Sequence, residues 1–355
     1  MTKTISSDNI KLSELIVFVL IRRIIMAAAH HFYIRDFIKS DTHTGLSDKS
    51  LATLSETKSK STMDAYESDW NDFCDWCQYH NEIAFPAQPE TIVNYINDLA
   101  DYAKASTIRR RVSAISENYN AAGLSETNPC HAWIVREALV GLNRTKGTVQ
   151  KGKTPIYWEE LEQMISYIDS AHLAGVRDKA ILLLGFLGAF RRSEISNLNI
   201  EDLTRYPQGL VVTLTHSKTD QEKAGQQVGI PYIANKSMCA ITAVNEWIKK
   251  ANISEGPLFR SILKNEKAAS RRLSDKSINL IVKKYITCIG LSPDLYGAHS
   301  LRHGFATYAA LNGIEERLIM KQTRHRSVEM VRHYINEADL FVNNPITMIF
   351  EKNKK

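Results

Sequence analysis

The stretch GVRDKAILLLGFLGAF, residues 175–190, is apolar on almost every side. A surface helix needs a polar face, so a helix this uniformly apolar must be wrapped by other elements. It runs directly into Arg191-Arg192 and then into the periodic stretch RRSEISNLNIEDLTRY, 191–206. The chain therefore contains a domain built around a buried helix, with two permanent cations at that helix's end. Taken alone, arginine there is also explained by the negative end of the helix dipole.

The neighbouring patterns fill in that domain. YWEELEQMISYID (157–169) has helical periodicity, whereas GLVVTLTHSK (209–218) and QQVGIPYI (226–233) are β-rich. The polar stretch TDQEKAG between them predicts a hairpin, with Lys218 where the first strand runs into the tip. From 235 onward the pattern is again helical. Upstream, TMDAYESDWNDFCDWCQYH (62–80) places Tyr66, Trp70, Phe73 and Cys77 on one stripe, and FPAQP (85–89) then breaks the chain. Three more helices are expected over 89–103, over 106–123 with Ser106 as N-cap and Gly123 as stop, and over 131–147. The glycine- and lysine-rich TKGTVQKGKTP (145–155) separates this region from the next. The expected organisation is an extension or arm over 1–58, a helical domain over 59–147, a linker over 148–154, a second domain over 155–342 and a tail over 343–355. The fold class is mainly α with a small β-sheet.

Charge points to the partner. The 355-residue chain carries a net charge of +6, which alone only permits a polyanion. Residues 102–153, however, hold nine Lys/Arg against three acids, an excess of six within that short segment. Such local asymmetry is the footprint of phosphate-backbone binding, and it nominates Lys104, Arg109, Arg110, Arg111, Arg144, Lys146, Lys151 and Lys153. Five scattered cysteines do not form a disulfide framework, and Cys74-x-x-Cys77 sits in an apolar helix without a second metal-ligand pair. Packing is the expectation there. The apolar segment 14–34 is interrupted by Arg22-Arg23, and its longest unbroken run, 15–21, falls far short of the roughly 20 residues that a membrane span needs. It is expected to dock as an extension, or to precede a natural start at Met26.

Four further residues carry chemistry. His299 and Arg302 are three apart at the start of GAHSLRHGFATYAALNG (297–313), so they share a helix face. A polar pair opening a helix would also serve as a cap. His325 and Tyr334 fall within TRHRSVEMVRHYI (323–335), which alone could be a basic surface helix. In order along the chain, Arg191, Lys218, His299, Arg302, His325 and Tyr334 supply a guanidinium pair, proton carriers and a nucleophile. No carboxylate cluster suggests a two-metal site, and no Walker-type glycine loop is present.

GAFRRSEISNLNIEDL, SKTDQ, HSLRHGFAT and HRSVEMVRHYI, with their order and spacing, resemble the tyrosine recombinase, or phage integrase, family of site-specific recombinases. The resemblance spans about residues 60–345. The family pattern has arginine three before a glutamate, which selects Arg191 over Arg192, and histidine nine before the tyrosine, which selects His325 over His333. TIRRRVSAIS within 62–147 is similar to the family's core-binding domain. Two features depart from the pattern: the apolar N-terminal segment, and Arg324 where the family often has glycine.

The resemblance implies a helical core-binding (SAM-like) domain and a mixed α/β catalytic domain forming a clamp around double-stranded DNA. It implies that Arg191 and Arg302 hold the scissile phosphate and that His325 donates a further hydrogen bond. Tyr334 would form a 3′-phosphotyrosyl link, with Lys218 as acid for the leaving 5′-oxygen and His299 managing the tyrosine proton. Glu194 would orient its neighbours, and Arg324 and Arg326 would touch the DNA backbone or solvent. No metal, ATP or other cofactor is implied. Also implied are a homo-tetramer on DNA, a monomer or weak dimer when free, accessory DNA-bending proteins, tail-mediated docking of a neighbouring protomer, and a cytoplasmic, nucleoid-associated setting in a prokaryote.

Overall fold

The computed structural model describes residues 47, 49–50, 53, 57–146, 152–214, 225–325, 327–329 and 331–332. Nearly all of the expected arm, all of the expected tail, and residues 148–151 of the expected linker lie outside them. The chain divides into two compact units, Met1–Gln150 and Lys151–Lys355.

The described part of the first unit is helical. It holds α1 (Lys60–Tyr79), α2 (Pro89–Ala100), α3 (Ala105–Ala121), a short 3-10 turn and α4 (Trp133–Lys146). Ser59 caps α1, its hydroxyl accepting from the Thr62 N–H. The expected stripe turns inward at Trp70, Phe73 and Cys77, with Cys74 buried beside them. These residues meet Ile92, Tyr95, Ile96 and Leu99 of α2, Ile108, Val112, Ile115 and Tyr119 of α3, and Val135 and Leu142 of α4. Each buried side chain of this size contributes ~1.5–3 kcal/mol. Helix α3 begins earlier than expected: Lys104, not Ser106, is its N-cap, and no side chain caps it. Gly123 follows its end in the left-handed region (φ +74°), as a terminating glycine should.

The second unit is built around α6 (Leu173–Leu187). Residues Ala180 through Phe186 are all buried, so this helix is enclosed as its composition requires. It packs against α8 (Ala240–Lys250) and α10 (His299–Leu311), with α5 (Trp158–Ser166) and α9 (Asp275–Cys288) completing the helical shell. The strands β1 (Leu203–Tyr206), β2 (Gly209–Leu214) and β3 (Gln226–Pro231) form an antiparallel sheet in that order. Leu210 pairs with Ile230 and Val212 with Val228, all four buried in the core, so the period-2 alternation sets the register. The sequence did not announce β1. Nor is the chain wholly helical after 235: β4 (Arg260–Ile262) and β5 (Ala268–Arg272) form a second, two-stranded antiparallel sheet. Both strands are short, polar and only partly buried, so they carry no alternation to read.

Two glycines let backbones close around the site. A Cβ on Gly185 would lie 3.0 Å from both Ile195 and Leu301, where α6 meets α7 (Arg192–Asn197) and α10. A Cβ on Gly304 would fall 1.8 Å from the Ile156 carbonyl oxygen, because residues 154–156 run across α10 and bond it through the Ile156 N–H to Ser300 carbonyl contact of 3.1 Å. Gly304→Ala should therefore destabilise the second unit by about 2 kcal/mol or more, lowering its Tm by roughly 4 °C or more. A thermal melt unchanged by that substitution would show that the 154–156 segment does not press on α10.

Candidate active site

The site begins at the C-terminus of α6. That helix ends in a Schellman turn: the Phe190 N–H reaches the Gly185 carbonyl (3.1 Å) and the Ala189 N–H reaches that of Phe186 (2.9 Å). Ala189 occupies the left-handed position, φ +45°, where glycine is usual. The turn leaves the last carbonyls of a buried helix in need of donors. Side chains from two other segments provide them. Arg302 Nη1 donates to Ala189 (2.8 Å), Arg324 donates to Gly188 (Nη1, 3.0 Å) and Ala189 (Nη2, 2.9 Å), and Gln322 Nε2 donates to Leu187 (2.9 Å). Partial negative charge at a helix C-terminus favours such cations.

Arg191 is fixed by the same turn. It is the N-cap of α7, and Glu194, three residues on, accepts from its N–H (2.8 Å) and from its Nη1 (2.6 Å). This is one half of a capping box, with an ion pair added. Glu194 Oε2 also accepts from Arg324 Nη2 at 2.9 Å. Burial alone would raise the pKa of Glu194. The Arg324 charge, then the bonds and charge of Arg191, outweigh it and hold the carboxyl below its ordinary range. Glu194 is thus an ionised, buried anchor between two guanidiniums. The far end of α7 is held by Arg272, which donates to the carbonyls of Ser196 (2.7 Å) and Leu198 (3.1 Å).

Arg302, fully buried, and His299 come from the first turn of α10, as their spacing predicts. His325 follows α11 (Glu316–Thr323) and is 7% exposed. Thr323 Oγ1 donates to the Ile319 carbonyl (2.7 Å), so the His325 Nδ1 contact at 2.8 Å must be a donation from the ring to that hydroxyl. Neutral His325 then has Nε2 as its acceptor, and Nε2 becomes a donor only when the ring is protonated. Burial, then the charges of Arg302 and Arg191, push its pKa down to about 3. Loss of water, then Arg302, His303 and Arg191, push that of His299 down to about 4, although part of its surface stays open. Shared partners bring the four groups together: Arg302 and Arg324 bond the Ala189 carbonyl two residues before Arg191, Glu194 joins Arg191 to Arg324 beside His325, and His299 lies one turn before Arg302.

Of the predicted residues, Lys218 and Tyr334 lie outside the described residues, as do Lys151 and Arg326. Arg324 corrects its expected place on the surface or DNA backbone: it is 8% exposed and turned inward. Sequence reasoning missed this role, although the departure from glycine at a tight turn was the available signal. Arg324 stands at φ +58°, the left-handed region that costs a non-glycine residue on the order of 1 kcal/mol, and its hydrogen bonds offset that cost.

The basic cluster of the helical unit sorts into two kinds. Lys104, Arg109 and Arg144 are exposed. Arg110 pairs with the buried Asp69 at 2.5 Å, and Arg111 bonds Asp72 and the Tyr95 hydroxyl (3.1 Å). Arg111 is thereby largely committed to that unit's interior, whereas Arg110 stays exposed along its side chain while its tip neutralises buried Asp69, so neither is the wholly open phosphate contact that was expected. Lys146 donates to the Ala103 carbonyl (2.9 Å), and Lys153, in the second unit, to that of Asp294. Cys74 and Cys77 are buried free thiols.

The sequence pattern of the phage integrase family matches residues 155–340, and that of the phage integrase N-terminal SAM-like domain matches residues 48–123. The chain is 46% identical over 331 residues to the integrase/recombinase XerD homolog of Selenomonas ruminantium, covering 93% of this chain and 97% of that one. It belongs to the phage integrase family. The Cre recombinase of Escherichia phage P1 is 24% identical over 74% of this chain and 80% of its own. Among solved structures, the XerH site-specific recombinase bound to palindromic difH substrate superposes with a TM-score of 0.60 at 16% identity, over 84% of this chain and 83% of that chain. That likeness establishes a shared fold. No helix among the described residues is long and apolar enough to cross a membrane.

The depressed histidines predict a pH dependence. An unfolded histidine takes up a proton near pH ~6.5, whereas His299 and His325 in the fold wait until about 4 and about 3. Between these values the unfolded state binds more protons, so stability is fully present above pH ~6.5 and falls as pH drops toward ~4. Thermal melts from pH 8 to 5 should show this decline, and His325→Gln should flatten part of it. A Tm constant across that range would contradict the neutral state of these rings.

Proposed function

We propose that this chain is a site-specific DNA recombinase that cuts and rejoins duplex DNA through a covalent 3′-phosphotyrosyl link. The observation that carries the reading is that the contacts at Ala189 and Glu194 bring Arg191, Arg302, His299 and His325 to one place, with Tyr334 nine residues beyond His325 in the sequence. Membership of the phage integrase family supports it. Two rigid guanidiniums suit the non-bridging oxygens of a phosphodiester and the extra charge of its pentavalent transition state. An arriving phosphate anion favours protonated His325, which turns Nε2 into a third donor. Tyr334 attacks phosphorus and the 5′-oxygen leaves, taking its proton from Lys218, while His299 receives the tyrosine proton. The ester energy is kept in the tyrosyl link, so a partner strand's 5′-hydroxyl can reverse the step without ATP.

Lys104, Arg109 and Arg144 supply backbone contacts from the helical unit, and the two units act as a clamp on duplex DNA. Exchange between two duplexes calls for a homo-tetramer on DNA, assembled through the tail over 343–355. Accessory DNA-bending proteins and a nucleoid-associated, cytoplasmic setting belong to the same proposal. Integration, excision or resolution of a mobile element is the role such chemistry serves.

A nicked suicide substrate built from DNA flanking the gene tests the chemistry. Wild type should accumulate a covalent adduct, Tyr334→Phe should give none, and Arg191→Ala or Arg302→Ala should slow its formation by roughly 100-fold or more. Intact protein that binds the site without forming an adduct would point to a DNA-binding regulator instead. Arg109→Ala and Arg144→Ala should each lower the salt dependence of binding by about one counterion. Arg110→Ala should chiefly lower the Tm of the helical unit, since it uncovers buried Asp69. Deleting 343–355 should impair pairing of two sites while sparing single-site cleavage.

A further inference from the structure

We propose that Arg324 is a positioning residue for the phosphate site: it ties the turn carrying His325, the carboxylate of Glu194 and the end of α6 into one unit. The inference rests on the recombinase reading and adds a residue that the family pattern does not require, since glycine is common at that position.

The geometry excludes a phosphate-contacting role for this guanidinium. It is 8% exposed, and four of its five N–H donors are engaged within the protein. Nη1 donates to the carbonyls of Gly188 (3.0 Å) and Gln322 (2.8 Å), and Nη2 to the carbonyl of Ala189 and the carboxylate of Glu194 (both 2.9 Å). The Nε–H is buried as well. The planar face lies 5.0 Å from the centre of the Phe190 ring, a cation–π contact. A lysine could not span these four acceptors, because its ammonium is a point charge rather than a fork.

Each of those contacts leads to a residue of the site. Ala189 is also the acceptor that holds Arg302. Glu194 is also the carboxylate that holds Arg191 by two bonds. The Arg324 backbone is bonded directly to His325, and the bond from its own side chain to the Gln322 carbonyl closes the turn on itself. Next to it, Gln322 Nε2 bonds the carbonyls of Leu187 and, at 3.3 Å, Gly229 of β3. A glycine here would adopt φ +58° freely but would hold none of these partners. This chain therefore accepts a less comfortable backbone and gains a rigid brace.

Full-length Arg324→Gly and Arg324→Lys test the proposal beside wild type. Arg324→Gly should fold, bind the site with unchanged salt dependence, and cleave the nicked substrate roughly 10- to 100-fold more slowly, as expected when reacting groups shift by about an ångström. Arg324→Lys should not restore the rate. Replacing the scissile phosphate by a neutral methylphosphonate should relieve the need for Arg191 or Arg302 but should not rescue Arg324→Gly. A readout independent of cleavage is the His325 ring followed by NMR: it should stay neutral down to pH ~5 in wild type and titrate at higher pH in Arg324→Gly, which also removes a nearby charge, and in Arg324→Lys, which keeps that charge but loses the fork that holds the turn. A cleavage rate within twofold of wild type together with an unchanged His325 titration would overturn the proposal. So would a loss of about one counterion in DNA binding, which would make Arg324 a phosphate contact. If wild type itself forms no adduct, the recombinase reading fails, and the His325 titration in charge-retaining Arg324→Lys still decides whether Arg324 braces the turn.

Discussion

Everything at the candidate site depends on three backbone carbonyls. A helix enclosed on all sides cannot send its last C=O groups to water, so Leu187, Gly188 and Ala189 must find donors within the protein. Here they find Gln322, Arg324 and Arg302. The need to satisfy the end of α6 thus draws α10 and the turn after α11 to the same place. Arg191 arrives there by covalent continuity, because it follows the Schellman turn directly. A requirement of folding and a requirement of chemistry are met by one set of contacts.

The electrostatics follow from that arrangement. Arg191, Arg302 and Arg324 stand close enough to depress one another's histidine neighbours, with Glu194 as the carboxylate bonded to two of them. The site holds its guanidiniums fixed before any anion arrives, which is what electrostatic preorganisation means. Keeping His299 and His325 neutral spares this cluster two further positive charges. An anion placed there would reverse that balance, since a nearby negative charge favours the protonated ring.

The helical unit shows how little a run of cations says until its neighbours are known. Arg109, Arg110 and Arg111 are consecutive, yet among the described residues Arg110 and Arg111 meet carboxylates and Arg109 does not. Residues 110 and 111 face α1, where Asp69 and Asp72, one turn apart, meet them. Asp69 is 3% exposed, and a buried carboxylate needs such partners. An acid interleaved in the Trp70–Phe73–Cys77 stripe was the available sign that a cation would be recruited inward.

Much of this protein could be read from its residues. The uniform apolarity of 175–190 dictated an enclosed helix whatever the fold around it. The alternation of 209–214 and 226–230 dictated a hairpin. The i to i+3 spacing placed His299 with Arg302, and the resemblance to the family pattern, rather than periodicity, singled out Arg191, which the structure pairs with Glu194. Local periodicity determines such features because it is a property of a few adjacent residues. Strands β4 and β5 were not legible, since short polar strands have no period of their own and form only because partners are supplied. The fates of Arg110, Arg111 and Arg324 were not legible either. A cation's environment is set by carboxylates and carbonyls distant in sequence, 39 to 41 residues away for Arg111 and Arg110 and 130 for Arg324. The sequence by itself determined which groups could do the chemistry; only the tertiary structure decided which arginines are bonded to groups inside the protein, because that depends on where the buried acceptors lie.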